Sequence, residues 1–423
     1  MGIGLTDFLS EVGGSVTVNS YGEVSNSLID LDPETFDLSK HVMVPPNSLK
    51  ADIEMINRRF PKVMDAIDAL SLDENYGSRN SDTIFISTGA TAEILKQVLE
   101  ESHLLEHFCL YKSATSFPLS AKQIAPFLRD KKRVVIVEEK RDFLENELIN
   151  FIQKQNIKVK VFGKKFETQE GFPAHGGLSY EIIYEKIQQL LKLIDWGKEN
   201  NNCNLDPSRG KPQWGLDIRL PTRLPTFCPG CPHRETLSLL KDLRKTLKDE
   251  NLNLISHGDV GCYSLSFLEP FKEMHDLSAM GQGGAMGSGT DLFSKNPSVV
   301  LMGDSTFFHS GMSNISNSVQ MGHNITYILL DNDNTAMTGH QVTPRTGVDV
   351  SGEARPRQNM LDIARSMQVA DAIEVNPSDR YFYKNLLYDF VKKPGVKVIV
   401  SNKECALTFH SRSKKRERDM FAS

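Results

Sequence analysis

Two apolar runs that end in polar residues, Val299–Met302 and Ile325–Leu330, constrain this chain more than any other feature. Residues 299–341 read VVLMGDSTFFHSGMSNISNSVQMGHNITYILLDNDNTAMTGHQ. Short continuous apolar runs on either side of a helix-like segment predict two buried strands joined by a crossover helix. The first run leads into Gly303-Asp304-Ser305 and the second into Asp331-Asn332-Asp333-Asn334. Polar groups at the carboxyl ends of neighbouring parallel strands converge on one crevice, where open α/β sheets bind ligands. The carboxylate of Asp304 and the amide of Asn332, 28 positions later, suit a hard divalent cation such as Mg2+. That ion takes oxygen ligands and commonly shares them with a phosphate. Glycine at 303 lets backbone approach a phosphate closely. An ordinary βαβ unit with polar loop ends would carry the same letters.

At 423 residues the chain has room for two or three domains, each with its own core. The net charge of −5 predicts no nucleic-acid surface. No apolar run approaches the length of a membrane span. The start, MGIGLTDFLSEVGG, lacks a basic segment followed by an apolar core, so it does not read as a secretory signal. Six cysteines in such a chain argue for a reducing, cytoplasmic setting rather than a disulfide framework.

Residues 1–75 read as the tail of a domain plus a connector. Ile53, Ile56, Phe60, Val63 and Ile67 recur at helical spacing within 49–70. From 76 to 195, TIFIST (83–88), RVVIVEE (133–139) and KVKVFG (158–163) alternate with helical patterns, which predicts a parallel sheet. Gly89 reads as a strand-to-helix turn, since no G-x-G-x-x-G follows. Glu138 and Glu139 read as a solvated strand end, His175 as structural or interfacial, and Ser179 as the cap of a helix from Tyr180. Residues 196–220 form a polar linker, 221–410 a second α/β domain, and 411–423 a solvated basic tail.

Four cysteines mark this last domain. Cys228 and Cys231 form a C-x-x-C pair, while Cys262 and Cys405 each close a predicted strand, at 254–263 and 396–407. If those strands are parallel neighbours, all four sulfurs reach one edge of the sheet. Four thiolates serve a 4Fe–4S cluster or a tetrahedral zinc. A C-x-x-C turn with two inert buried thiols is the plain alternative. Cys109 and Cys203 read as structural.

The GDS-to-Asn332 spacing resembles the thiamine diphosphate motif, GDG followed by about 26 residues and an asparagine. CPGCPH, GDVGCY, GDSTFFHSG and LDN-x-x-TAMTGHQ together resemble the large subunits of indolepyruvate:ferredoxin oxidoreductases, a family of 2-oxoacid oxidoreductases. The resemblance implies an α/β protein of two parallel-sheet domains. A transketolase C-terminal-like domain would cover 76–195, and a thiamine diphosphate-binding domain of the PP type would cover 221–410. It implies thiamine diphosphate, Mg2+, a 4Fe–4S cluster, coenzyme A as co-substrate, and oxidative decarboxylation of aryl 2-oxoacids. Asp304 and Asn332 carry over as Mg2+ side-chain ligands, and Asn334 as a backbone carbonyl ligand. Gly303, Ser305 and Thr338 would sit against the diphosphate. Cys262, Tyr263, Gly281 and Gln282 would line the thiazolium side, and Cys228, Cys231, Cys262 and Cys405 would hold the cluster.

The sequence departs from this pattern twice. Residues 1–75 are too few for the pyrimidine-binding domain that supplies the activating glutamate; Glu23, Glu34 and Glu54 there read as solvated or capping. The end, HSRSKKRERDMFAS, carries none of the C-x-x-C pairs of a two-cluster ferredoxin domain. The expectation is that partner chains supply these parts: one with the pyrimidine-binding domain, a beta (gamma-domain) subunit, and a ferredoxin. A non-redox thiamine-dependent decarboxylase and a non-catalytic structural subunit are the alternatives.

Overall fold

The first sheet forms where the sequence concentrates β-branched and aromatic residues. The computed structural model describes Glu34 and residues 37–196 and 224–422, without the side chains at 38–39 and 415–422. The chain divides into two units, Met1–Arg219 and Leu220–Ser423.

In the first unit the strands are β1 (Glu74–Gly77), β2 (Thr83–Thr88), β3 (Cys109–Ser113), β4 (Arg133–Val137) and β5 (Lys160–Phe162). Their order is β1-β3-β2-β4-β5, with β1 antiparallel and the rest parallel. The helices are α1 (Gly89–Glu101), α2 (Ala121–Leu128), α3 (Phe143–Lys154) and α4 (Tyr180–Leu193). Successive strand residues point to opposite faces. Phe85 and Val135 therefore pack with Leu95 of α1 and Ile187 of α4. Ile84, Ile86 and Val134 pack with Ile124 of α2 and Leu148 of α3 on the other face. Both faces are covered, which is why these strands read as unbroken apolar runs.

Several expectations change here. The run 133–139 leaves the sheet at Val137, because Glu138 turns to accept hydrogen bonds from the Leu144 and Glu145 amides at 2.7 and 2.9 Å. Glu138 is thus a buried cap of α3 rather than a solvated strand end, and burial raises its carboxyl pKa. Ser179 does cap α4, its hydroxyl accepting from the Ile182 amide at 3.4 Å. Helical turns run through Asn47–Glu54, Met55–Arg59 and Phe60–Leu70, with Ile53, Ile56 and Val63 exposed. Cys109 is fully buried in β3 and His175 is exposed. Glu23, Cys203 and most of the linker lie outside the described residues.

The second unit carries β6 (Ile255–Gly258), β7 (Asp276–Leu277), β8 (Ser298–Gly303), β9 (Ile325–Asp331), β10 (Asp371–Val375) and β11 (Lys397–Asn402). All six are parallel in the order β10-β11-β9-β8-β6-β7. Its helices are α5 (His233–Asp249), α6 (Gly283–Asp291), α7 (Met312–Gln320), α8 (Met360–Ser366), α9 (Arg380–Lys392) and α10 (Ala406–Ala422). Leu240 of α5 and Leu387 of α9 cover one face with Val299, Leu301 and Ile328. Ile315 of α7 and Met360 of α8 cover the other with Val300, Met302 and Leu329. The glycine-rich run 280–289 becomes α6 itself: a Cβ on Gly283 would stand 2.9 Å from the Gly258 backbone, so glycine lets this helix lie against the sheet.

From β6 the chain moves outward to β7, whereas from β8 it moves the opposite way to β9. The reversal between β6 and β8 is the switch point at which parallel sheets open a crevice at their carboxyl ends. Two strand ends differ from expectation. The run 254–263 leaves the sheet at Gly258, and Cys262 opens a 3-10 turn, Cys262–Phe267. The run 396–407 leaves it at Asn402, so Cys405 stands just before α10. Among the described residues no helix is long and apolar enough to cross a membrane.

Candidate functional site

A crevice of about 110 Å3 opens at the carboxyl ends of β6, β8 and β9. Val260, Gly261, Cys262 and Tyr263 line it after β6, and Gly303, Asp304, Ser305 and Thr306 after β8. Leu330, Asn332, Asn334 and residues 335–338, Thr338 included, line it after β9. His233 at the start of α5 and Met280 complete the wall. Gly281 and Gln282, expected to line it, do not: Gly281 is buried beneath, and Gln282 is exposed at the start of α6.

Asp304 is the charged centre of the crevice. It is 2% exposed, and its Oδ1 accepts the Ser305 amide at 2.5 Å. Its Oδ2 is buried with no hydrogen bond of good geometry, and the Asn332 backbone amide also faces this carboxyl. Burial first, and the neighbouring Asp331 second, push its carboxyl up to about 7. A buried carboxylate oxygen without a well-formed hydrogen bond is costly, and a cation in the crevice is the group that would relieve it. Asp331 is matched differently: Arg345 Nε donates to its Oδ2 at 2.7 Å, and both residues are buried.

Asn332 and Asn334 are held by short-range contacts. The Asn332 carbonyl accepts the Cys405 amide at 3.2 Å, and its side-chain Oδ1 accepts the Asn334 amide at 3.3 Å. The Asn332 Nδ2 lies 3.4 Å from His233 Nε2. Asn334 Nδ2 donates to Thr408 Oγ1 at 2.9 Å, and its backbone carbonyl accepts from Ala336 at 3.0 Å, which leaves one lone pair. Oxygen donors from Asp304, Asn332 and Asn334 fit a hard cation that also binds phosphate. Ser305 and Thr338 also line the crevice, the Thr338 hydroxyl donating to Gln341 Oε1 at 2.8 Å.

The floor is a buried tyrosine. The Tyr263 hydroxyl donates to Asp259 Oδ1, whose Oδ2 accepts the Gly281 amide at 3.1 Å. Burial raises the Asp259 carboxyl to about 6. A Cβ on Gly303 would stand 3.1 Å from Tyr263 Cε1, and one on Gly261 would stand 2.3 Å from it. A side chain at 303 would thus be tight against the ring, though the φ of −77° is open to any residue. His233 meets Tyr263 edge to face at 6.2 Å, and its burial lowers its pKa to about 4, leaving it neutral.

The four cysteines gather on three segments beside this crevice. The Cys231 amide bonds to the Cys228 carbonyl at 3.1 Å in a turn that needs Gly230 at φ +73°. A Cβ on Gly230 would meet the Ala406 Cβ at 3.5 Å, so this turn abuts the residue after Cys405. Burial raises the Cys262 thiol to about 11, and Cys231, Cys405 and Cys228 each add to the rise. The donor set is one that soft metals select. Among the described residues no three Cys, His, Asp or Glu side chains stand close enough to hold a single ion.

His233, Asp259, Met280, Thr306 and Arg345 belong to the crevice or its support and were not singled out from sequence. His233 and Asp259 sit inside CPGCPH and GDVGCY, where the motif letters were the available signal. Arg345 carried none.

Residues 259–401 match the thiamine pyrophosphate enzyme C-terminal TPP binding domain family, and residues 93–206 match the indolepyruvate oxidoreductase domain family. An indolepyruvate oxidoreductase subunit IorA from Archaeoglobus fulgidus is 27% identical over 413 residues, covering 97% of this chain and 61% of that subunit. The IorA of Methanothermobacter marburgensis is 29% identical over 298 residues, 70% of this chain and 45% of that one. The chain is a relative of the IorA subunits. It spans less than two thirds of the length of these curated relatives. A solved 2-oxoglutarate:ferredoxin oxidoreductase from Magnetococcus marinus overlaps 44% of this chain and 66% of its own at 21% identity, with a TM-score of 0.37. In this IorA relative the matched binding-domain family begins at Asp259 under the crevice and runs through Asp304, Asn332 and Asn334.

Proposed function

We propose that this chain is the thiamine diphosphate- and Mg2+-binding subunit of a 2-oxoacid:ferredoxin oxidoreductase acting on indolepyruvate or another aryl pyruvate. The observation that carries the reading is the buried Oδ2 of Asp304, without a well-formed hydrogen bond, in a crevice lined by Asn332 and Asn334. When bound, thiamine diphosphate supplies the carbon nucleophile for a 2-oxo carbon and the electron sink that lets carbon dioxide leave.

The chain's own residues bind and orient. Asp304, Asn332 and the Asn334 carbonyl hold the cation, which neutralises diphosphate charge. Ser305 and Thr338 offer hydroxyls to the diphosphate, and Gly303 leaves room for the Tyr263 ring beneath it. Tyr263 and neutral His233 keep the floor apolar and exclude water. Cys228, Cys231, Cys262 and Cys405 would be the ligands of a 4Fe–4S cluster, which would supply electron transfer towards ferredoxin, with coenzyme A as the proposed acyl acceptor. Among the described residues Asp304 is the only carboxylate lining the crevice. The proposed source of the activating glutamate is a partner chain with a pyrimidine-binding domain, beside a beta (gamma-domain) subunit, in the cytoplasm.

The test is calorimetric titration of thiamine diphosphate with and without Mg2+, on the parent and on Asp304→Ala. Binding should require Mg2+ and vanish in the variant. Equal affinity in parent and variant would sink the reading.

A further inference from the structure

We infer that His233 is a positioning residue for the divalent cation: it holds the Asn332 side chain so that the amide oxygen, and not the nitrogen, is offered to the metal. The inference rests on the Mg2+ reading of Asp304 and Asn332 above.

An asparagine side chain fits the same space in two orientations that exchange its oxygen and nitrogen. Only the oxygen ligates a hard cation. Neighbouring groups therefore decide whether Asn332 can serve. His233 is 4% exposed at the start of α5, and its Nε2 stands 3.4 Å from Asn332 Nδ2. In the tautomer with hydrogen on Nδ1, Nε2 only accepts, so it faces the NH2 end. At the opposite end Oδ1 accepts the Asn334 amide at 3.3 Å, in agreement with the same orientation. That contact occupies one of two lone pairs and leaves the other for a cation.

The remaining freedom of both residues is removed by their surroundings. The Cys405 amide fixes the Asn332 carbonyl at 3.2 Å. Tyr263 holds the imidazole edge to face. Groups behind a metal's ligands fix ligand orientation in this way, and their loss commonly weakens metal affinity about 10- to 100-fold. His233 itself is no member of the oxygen donor set, so its effect on the cation passes through Asn332.

The test titrates Mg2+ calorimetrically into the full chain with saturating thiamine diphosphate. His233→Met, which accepts no comparable hydrogen bond, should raise the Mg2+ Kd roughly tenfold or more. His233→Gln, which restores an acceptor, should recover most of the affinity. In an Asn332→Asp background both side-chain ends are oxygens, so orientation no longer matters and His233→Met should cost nothing further. Should His233→Met melt below the titration temperature, His233→Phe takes its place, keeping a ring against Tyr263 without an acceptor. Equal losses in the Asn332 and Asn332→Asp backgrounds would mean a general packing role and overturn the inference. So would unchanged affinity in His233→Met while Asp304→Ala abolishes binding. Unchanged affinity in Asp304→Ala would instead bring down the Mg2+ reading itself.

Discussion

The backbone amide of Cys405 donates to the carbonyl oxygen of Asn332 at 3.2 Å. A proposed cluster ligand and a proposed Mg2+ ligand are thus joined by one hydrogen bond. His233, two positions after Cys231, reaches the side chain of the same asparagine. Two of the three cysteine-bearing segments therefore border Asn332. Metal on the cysteines would order these segments before Mg2+ arrives, and ordering done once need not be repeated. Anaerobic reconstitution with iron and sulfide should lower the Mg2+ Kd by at least about fivefold, and Mg2+ should favour cluster retention by the same factor. Identical Kd values with and without iron would show that the hydrogen bond transmits nothing.

The cysteine set makes a compositional prediction. Anaerobically prepared protein should contain about four iron and about four sulfide per chain, as one 4Fe–4S cluster requires. Cys262→Ser should lower both together, because a 4Fe–4S cluster is held by four thiolates. Stoichiometric zinc without iron would favour a structural metal instead.

What was legible in the sequence follows from what is local. Strands β2, β8 and β9 are buried on both faces, so each shows as a continuous apolar run. Asp304 and Asn332 lie directly beyond such runs, which placed them at one sheet edge. The ends of β6 and β11 were read too late because periodicity does not mark where a chain leaves the ladder. Glu138 reads as solvated from its neighbours, yet its partners are amides six and seven positions later. Arg345 lies in a polar loop whose letters give no sign of burial; only the folded chain brings it to Asp331. Gly303 lines the crevice and also stands against the Tyr263 ring, a contact that no local pattern shows.

That ring makes the two glycines unequal. Any side chain at 261 would begin 2.3 Å from Tyr263 Cε1, and at 303 only 3.1 Å from it. Gly261→Ala should cost on the order of 1–3 kcal/mol by overpacking, and Gly303→Ala less. Urea unfolding of each variant measures this. Tyr263→Leu should rescue part of the Gly261→Ala loss; a loss unchanged in the double variant would show that the ring is not the obstacle.

Arg345→Met should be among the most damaging substitutions in the second unit. It leaves Asp331 buried with no counter-charge, a loss of about 3–5 kcal/mol for buried pairs. Burial already raises the Asp331 carboxyl, and Arg345 opposes that rise. Without the guanidinium the folded-state value climbs further. A raised acid adds stability that is complete at low pH and lost as pH increases. The deficit should therefore be large near pH 8 and small near about pH 4. A deficit equal at both would assign the loss to packing of the arginine stem.

Asp304→Asn should stabilise the metal-free protein, although it removes a proposed ligand. The folded carboxyl is raised to about 7 from an ordinary value of 3.8, chiefly by burial. A group raised in this sense contributes stability in full below the ordinary value and loses it as pH rises through about 7. Above that, the stranded carboxylate costs roughly 4 kcal/mol. Asparagine has the same shape without the charge. Denaturant unfolding near pH 8 should therefore show the variant more stable than the parent, with the two converging near about pH 4. Adding Mg2+ and thiamine diphosphate should reverse the order, since a ligand that binds only the folded state stabilises the parent and leaves the variant unchanged. A variant less stable than the parent at both pH values, with no ligand present, would mean that Asp304 is satisfied within the chain and that no cation is needed beside it.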